Sequence, residues 1–423
     1  EVFSEGILKS LPKGTMAVGH NRYGTTGSTC RSNCQPIEVN HQKGRMAIAH
    51  NGNLSNAAEL RSALELSGAI FHTTSDTETI AYIVTKERLS APSIEEAVSR
   101  AMNTLEGAYS LILMSPQKLI CARDPYGFRP LCYGRRKDGT YIIASETCAL
   151  QATGAEFIRD VDPGEILVFS KNGIRSRREH CNIKPKKFCI FEYIYFARSD
   201  SFIDGVSVYE ARKQAGRILA REFPVEADMV IGVPESGIDA AIGYAEESGI
   251  PYEKAIVKNS YIGRTFIKPS QSERMKSVRI KLNPIADMVR GKRVVMIDDS
   301  IVRGTTVDRI VTMLRDAGAK EVHMRIACPP LIYGCPFLGF SASKSDLELL
   351  TRRIIKDLEG DENKNLEKYS TTGSPEYERM VEEIRKRFGL TSLKFNTLEI
   401  MIKAIGLPKC KVCTHCFDGT SHF

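Results

Sequence analysis

Arg293-Val294-Val295-Met296-Ile297-Asp298-Asp299-Ser300-Ile301-Val302-Arg303-Gly304-Thr305-Thr306 is the stretch that decides the fold. Its β-rich apolar start changes abruptly to acids and hydroxyls, the pattern of a buried strand that ends at a loop. A helix pattern follows at once. Val307, Ile310, Val311 and Leu314 fall at i, i+3, i+4 and i+7, which sets one apolar stripe against a sheet and leaves Arg315 and Asp316 solvated. Gly318 stops that helix, and Glu321 to Ile326 reads as the next strand. The same rhythm runs upstream: Met229 to Val233 as a strand, Ile238 to Glu247 as a helix, Gly249 as its stop and Tyr252 to Val257 as a strand. Two strand-loop-helix-strand units imply a parallel sheet with ligands at the carboxyl ends of its strands.

The chemistry sits at that end. Asp298 and Asp299 are hard oxygen donors suited to ribose hydroxyls and a divalent cation. Gly304 permits close backbone approach, while Ser300, Thr305, Thr306 and the amides that open the helix can surround a dianionic phosphate. A plain helix cap would need only one of these residues. At the equivalent end of the upstream strand, Val233-Pro234-Glu235-Ser236-Gly237 forms a turn that can offer amides to a pyrophosphate, or can be an ordinary turn. Lys258 to Ile267, with Gly263 and Arg264, and the polar basic stretch to Lys281 read as a lid that excludes water from an anion site; the alternative is a solvated loop.

With 423 residues the chain is two to three domains long, and 42% hydrophobic with 26% charged residues is globular composition. The net charge of +8 is dispersed and fits an anionic small molecule. No basic block interleaved with aromatics points to nucleic acid, and no apolar run of about 18 residues points to a membrane span. Up to about residue 180, short strands such as Arg45 to His50, Tyr109 to Met114 and Tyr141 to Ser145 alternate irregularly with helices at Asn56 to Ser67 and Asp76 to Lys86, an α+β pattern. Ser176 to Lys187, rich in Arg, Lys and Pro, is the expected linker, giving domains 1–180 and 181–423. Residues 358–376 are polar and aperiodic and read as an exposed insertion.

In the first half, Gly19-His20-Asn21-Arg22-Tyr23-Gly24-Thr25-Thr26-Gly27 presents an arginine for bidentate capture of a carboxylate. Ala49-His50-Asn51-Gly52-Asn53 follows a strand, so the Asn51 amide and the Gly52 N–H can converge on a developing oxyanion. Ser75-Asp76-Thr77-Glu78 opens a helix and offers a carboxylate for an α-ammonium group. Taken singly, these are also a surface ion pair, a hairpin turn and a helix cap. In this order and combination the segments resemble the glutaminase domain of N-terminal-nucleophile amidotransferases.

The loop from Asp298 to Thr306 is similar to the phosphoribosylpyrophosphate (PRPP) signature. With Glu192-Tyr193-Ile194-Tyr195-Phe196-Ala197-Arg198 added, nearly the whole chain resembles the glutamine PRPP amidotransferase (amidophosphoribosyltransferase) family. The resemblance implies an N-terminal-nucleophile glutaminase domain, incomplete at its start, followed by an α/β type I phosphoribosyltransferase domain. It implies synthesis of 5-phosphoribosylamine from PRPP and glutamine-derived ammonia, the first step of purine biosynthesis. Arg22, Thr25 and Asp76 would bind glutamine, and Asn51 and Gly52 would form the oxyanion hole. Glu235, Ser236, Gly237, Lys258, Arg264, Asp298, Asp299, Ser300, Arg303, Gly304, Thr305 and Thr306 would bind PRPP. Mg2+ would be held by Ser236, Asp298 and Asp299, and Tyr193, Tyr195 and Phe196 would line an ammonia path. The family's nucleophile is an amino-terminal cysteine, whereas this sequence opens Glu1-Val2-Phe3 and its first cysteine is Cys30. The expectation is therefore ammonia-dependent activity for the chain as it stands.

Twelve cysteines are too sparse for a disulfide scaffold and suit a reducing cytoplasm. Cys410, Cys413 and Cys416 form a Cys-x2-Cys-x2-Cys run that reads as metal or cluster ligation. The resemblance implies a [4Fe-4S] cluster on Cys189, Cys335, Cys413 and Cys416, as in the iron-sulfur branch of the family. By spacing alone, a zinc site on the same four thiolates is the alternative, and Cys410 or His415 could replace a ligand. Cys121, Cys148 and Cys328 read as small buried apolar residues. A homo-oligomer, with the tetramer of the family, and feedback by purine nucleotides are further implications. A non-catalytic PRPP-binding regulator would need neither the amino-acid pocket nor the cysteine set. A sugar-phosphate aminating synthase would share the first half but lack the PRPP loop.

Overall fold

The computed structural model describes residues 4–11, 14–21, 30–259, 282–338 and 345–421. Two compact units emerge, one of Glu1–Pro125 with Val161–Ile183 and the other of Tyr126–Asp160 with Lys184–Phe423. The third change of unit, between Ile183 and Lys184, falls inside the expected linker. The excursion 126–160, sequentially within 1–180, is grouped with the second unit.

The first unit is built on a six-stranded sheet in the order Ile37–His41, Gly44–Leu54, Gly107–Ser115, Lys118–Arg123, Ile166–Ser170, Gly173–Arg177. Every neighbouring pair is antiparallel. Alternation puts Met46 and Ile48 of one strand and Leu111 and Leu113 of the next on a common face, where they pack with Ile80, Val84, Val98 and Ala101 of the helices Asp76–Ser90 and Ile94–Met102. The expected strands and helices of this half are all present, with the second strand running on through Asn51 and Gly52 to Leu54.

The second unit holds a four-stranded parallel sheet in the order Met229–Gly232, Arg293–Asp298, Glu321–Ile326, Ser392–Phe395. Helices Ile238–Ser248 and Thr305–Asp316 follow the first and second of these strands. Val307, Ile310, Val311 and Leu314 are the buried residues of the latter, the stripe that the periodicity predicts. Gly249 ends the former in a left-handed conformation. Tyr252 makes only an isolated parallel bridge to Val230, and the chain re-forms a strand at Ile256–Lys258, antiparallel to Leu282–Pro284. Val230 N–H donates to Pro251 O and Glu253 N–H donates to Val230 O, and the parallel pairing ends there. A smaller antiparallel sheet, Tyr141–Ala144, Cys132–Arg135 and Glu156–Asp160, is grouped with this unit.

Residues 358–376 are largely exposed, as expected, but they form regular structure rather than an irregular insertion. Helix Leu350–Glu359 runs into this stretch, Leu366–Ser370 forms another helix, and Pro375–Arg387 begins inside it. A single apolar anchor suffices: Tyr369 is wholly buried and its hydroxyl donates to Glu359 at 2.8 Å. Ser374 caps the last helix by accepting from the Tyr377 N–H, with Pro375 in the first turn. Among the described residues, no helix is long and apolar enough to cross a membrane.

Candidate functional site

The strand Arg293–Asp298 carries its acids out at the carboxyl end of the sheet, as a parallel strand must. Asp298 and Asp299 are only 5% and 6% exposed. The Asp299 N–H donates to Asp298 Oδ1 at 2.9 Å, and the hydroxyls of Ser236 and Ser300 donate to the two oxygens of Asp299 at 2.5 Å each. Burial, followed by the charge of Asp299, pushes Asp298 well above the ordinary carboxylate range. Burial pushes Asp299 up as well, against the hydrogen bonds from Ser236, Ser300 and Asp298 and the charge of Arg212. Burial therefore disfavours two negative charges on this pair at once.

Ser236 comes from the turn after the neighbouring strand. Val233 N–H donates to Ile297 O, and Gly237 N–H donates back to Val233 O, closing the turn against the acid strand. A Cβ on Gly237 would stand 2.5 Å from Ile297 O, so only glycine permits this approach. The Pro234–Glu235 peptide is cis. Lys258 donates to Glu235 at 2.8 Å. Across the loop, Gly304 adopts a left-handed φ of 78° and precedes the helix Thr305–Asp316 without any side-chain cap. The first N–H groups of that helix have no intrahelical acceptor, and the helix dipole favours an anion before them.

Of the expected PRPP set, Ser236 and Ser300 meet Asp299 and Lys258 meets Glu235, while Arg264 lies outside the described residues with the expected lid segment 260–281. Arg303 faces Glu348, donating at 2.5 Å. Sequence reasoning missed the support behind the loop. Leu350 N–H donates to Val302 O, Arg353 donates to Arg303 O, and a Cβ on Gly304 would stand 2.7 Å from Phe388 Cζ. It also missed Arg212, whose guanidinium is buried beneath the turn and held by Tyr193 O, Ala197 O and Ser199 Oγ. The signal was present: Arg212 falls between Val208, Ala211 and Ala215 on the inward stripe of its helix.

In the first unit, Asn51 and Gly52 lie inside a strand, opposite Ser110 and Tyr109, rather than in a loop after one. A Cβ on Gly52 would stand 1.9 Å from Ala108 O. His50 anchors the segment: its N–H donates to Gln35, its carbonyl is 3.2 Å from His20 Nε2, and its ring is 3.5 Å from Asp76. Asp76 also accepts from Leu54 N–H at 3.1 Å. Burial alone would raise the Asp76 carboxyl, but the His50 charge and hydrogen bond and the backbone N–H groups of Leu54 and Thr77 hold it below the ordinary range. Arg22 and Thr25 lie outside the described residues.

Cys189 pairs with Cys413 between two short parallel strands, and Ile332 and Tyr333 N–H donate to Cys416 O. Burial pushes up the thiols of Cys189 and Cys416, and that of Cys413 to about 12. Cys335 acts electrostatically on all three. Cys410 is exposed, and His415 Nδ1 is 3.0 Å from Thr420 O. No three His, Cys, Asp or Glu side chains among the described residues stand close enough to share one metal ion. Cys121, Cys148 and Cys328 are buried.

Comparison with known proteins agrees with this geometry. A glutamine amidotransferase domain model matches residues 20–152, and a phosphoribosyl transferase domain model matches residues 207–330. Amidophosphoribosyltransferase of Bacillus subtilis is 45% identical over 99% of this chain and 82% of its own length. That of Methanocaldococcus jannaschii is 44% identical over 99% of this chain and 85% of its own. Among solved structures, the B. subtilis glutamine PRPP amidotransferase complexed with ADP and GMP superposes with a TM-score of 0.80 at 42% identity, over 95% of this chain and 82% of that one. A structure described as the allosteric regulatory enzyme of purine biosynthesis gives 0.81 at 43% identity, over 96% and 82%. With a glutamine amidotransferase domain followed by a phosphoribosyltransferase domain, the chain belongs to the amidophosphoribosyltransferase family.

Proposed function

We propose that this protein is an amidophosphoribosyltransferase that makes 5-phosphoribosylamine from PRPP and glutamine-derived ammonia, the first step of purine biosynthesis. One observation carries the reading: a buried acid pair, hydrogen-bonded to serines from two adjacent loops, lies at the end of the strand whose loop leads to an uncapped helix N-terminus. The helix amides with Thr305 and Thr306 take the 5-phosphate. Asp298 and Asp299 hold the ribose hydroxyls, and the Glu235–Gly237 turn takes the pyrophosphate. Held this way, the sugar is oriented for pyrophosphate to depart as positive charge develops at C1 and for ammonia to attack with inversion. Positioning and charge stabilisation supply most of the rate.

Mg2+ fits the oxygen donors of Ser236, Asp298 and Asp299, because it is commonly bound through one or two carboxylates plus substrate phosphates. When bound it would neutralise charge on the departing pyrophosphate. On the glutamine side, Asn51 and Gly52 are the oxyanion donors. Asp76 binds the α-ammonium group through lone pairs not used by Leu54 and His50, with Arg22 and Thr25 completing the pocket.

A [4Fe-4S] cluster fits Cys189, Cys335, Cys413 and Cys416, and its role is to tie the tail to the core. Four cysteine thiolates are the ligand set that such a cluster takes. Iron and inorganic sulfide in equal amounts, with a matching visible spectrum, would support the cluster; zinc alone would refute it. The ADP and GMP in the B. subtilis relative support purine nucleotides as feedback ligands here.

The function is tested by pyrophosphate release from PRPP with ammonium as nitrogen donor. Release that requires both ammonium and Mg2+ supports the reading, and silence under all conditions contradicts it.

A further inference from the structure

Arg212 is 6% exposed on the helix Val208–Glu222, yet each of its guanidinium nitrogens has its own acceptor. Nε donates to Tyr193 O at 2.9 Å, Nη2 to Ala197 O at 2.8 Å and Nη1 to Ser199 Oγ at 3.2 Å. Asp239 lies 3.7 Å from Nη1 and accepts from the Ser199 hydroxyl. The contact has little freedom to slide. A Cβ on Gly216 would stand 1.9 Å from Ala240 O, and one on Gly243 would stand 1.9 Å from Lys213 O, so the helices bearing Arg212 and Asp239 meet backbone to backbone.

Asp239 is in the first turn of the helix Ile238–Ser248, which begins directly after the Glu235–Gly237 turn. Ile238 N–H donates to Glu235 O, and Ser236 donates to Asp299. A continuous chain of contacts therefore runs from the Tyr193–Ser199 segment through Arg212 and Asp239 to the acid pair. We propose that Arg212 is a positioning residue of the phosphoribosyl site, anchoring Tyr193–Ser199 to Asp239 and thereby fixing the turn whose Ser236 orients Asp299 toward PRPP. This rests on the assignment of that site to PRPP. A lysine could not replace the arginine fully, because one ammonium cannot reach three divergent acceptors in the same fixed geometry.

The test uses the full chain with ammonium and Mg2+ and determines KM for PRPP and for ammonium separately. Arg212→Met should raise KM for PRPP about tenfold or more with KM for ammonium within about twofold, and Arg212→Lys should fall between Met and the parent. A merely loosened fold would reduce the active fraction and lower kcat without this selective shift. Folded Arg212→Met with a parental KM for PRPP overturns the proposal. If that variant does not fold, Ser199→Ala decides: a rise of about threefold in KM for PRPP supports the role, and no change overturns it. Asp299→Asn separates the two ideas. If Asp299→Asn keeps parental kinetics, the PRPP assignment itself fails. If it loses turnover while the Arg212 variants do not change, only the positioning role fails.

Discussion

Asp298 and Asp299 share a pocket in which burial disfavours two negative charges at once, and the hydroxyls of Ser236 and Ser300 all point at Asp299. A cation there should therefore stabilise the fold by binding the native state alone. Adding Mg2+ should raise the thermal midpoint of the parent, and the shift should vanish in Asp298→Asn combined with Asp299→Asn. Gly304 is equally specific. Its left-handed φ and the nearness of Phe388 predict that Gly304→Ala costs about 1–3 kcal/mol and weakens PRPP binding, measured by denaturant unfolding and by KM. Asp76 has a folded pKa below its unfolded value, so its contribution is present above the unfolded pKa of about 3.9 and is lost as pH falls through the folded value. Stability of the parent should fall more steeply below about pH 4 than that of Asp76→Asn. The acids and the glycine were legible because a strand ending in hard donors has few other uses. Arg212 was not, since an arginine in a helix ordinarily reads as solvated and only its small, buried neighbours signal otherwise.

At the scale of elements, the segment after residue 345 braces the loop that follows Asp299. Leu350 N–H meets Val302 O, Arg353 meets Arg303 O, and Glu348 takes the Arg303 side chain. The helix from Glu376 to Phe388 was legible, because Tyr377, Met380, Val381 and Ile384 fall on one stripe, whereas the polar stretch before it records no apolar period. Ser374→Ala should remove the cap of Pro375–Arg387 and cost about 1 kcal/mol in denaturant unfolding. The strand periodicity around Met229 and Arg293 was legible, as was the helix stripe from Val307 to Leu314. The fourth strand of the sheet, Ser392–Phe395, was not. It is short and far along the chain, and its pairing with Glu321–Ile326 is a long-range choice that no local pattern records.

At the scale of the molecule, the sequence suggested a boundary near residue 180, but the grouping of 126–160 with the later unit was hidden because sequence order does not report which layer a hairpin joins. The cysteines show the same limit. Their spacing brings Cys413 and Cys416 together, whereas Cys189 and Cys335 are joined to them only by folding. The proposed function rests on the acid pair and the loop to Thr306 gripping an activated sugar by its hydroxyls and phosphates. The most direct measurement is equilibrium binding of PRPP, with Mg2+, to the folded Asp298→Asn, Asp299→Asn double variant beside the parent. The account predicts affinity weaker by about a hundredfold or more, from the loss of two charge-assisted contacts. Parental affinity in that variant would contradict it.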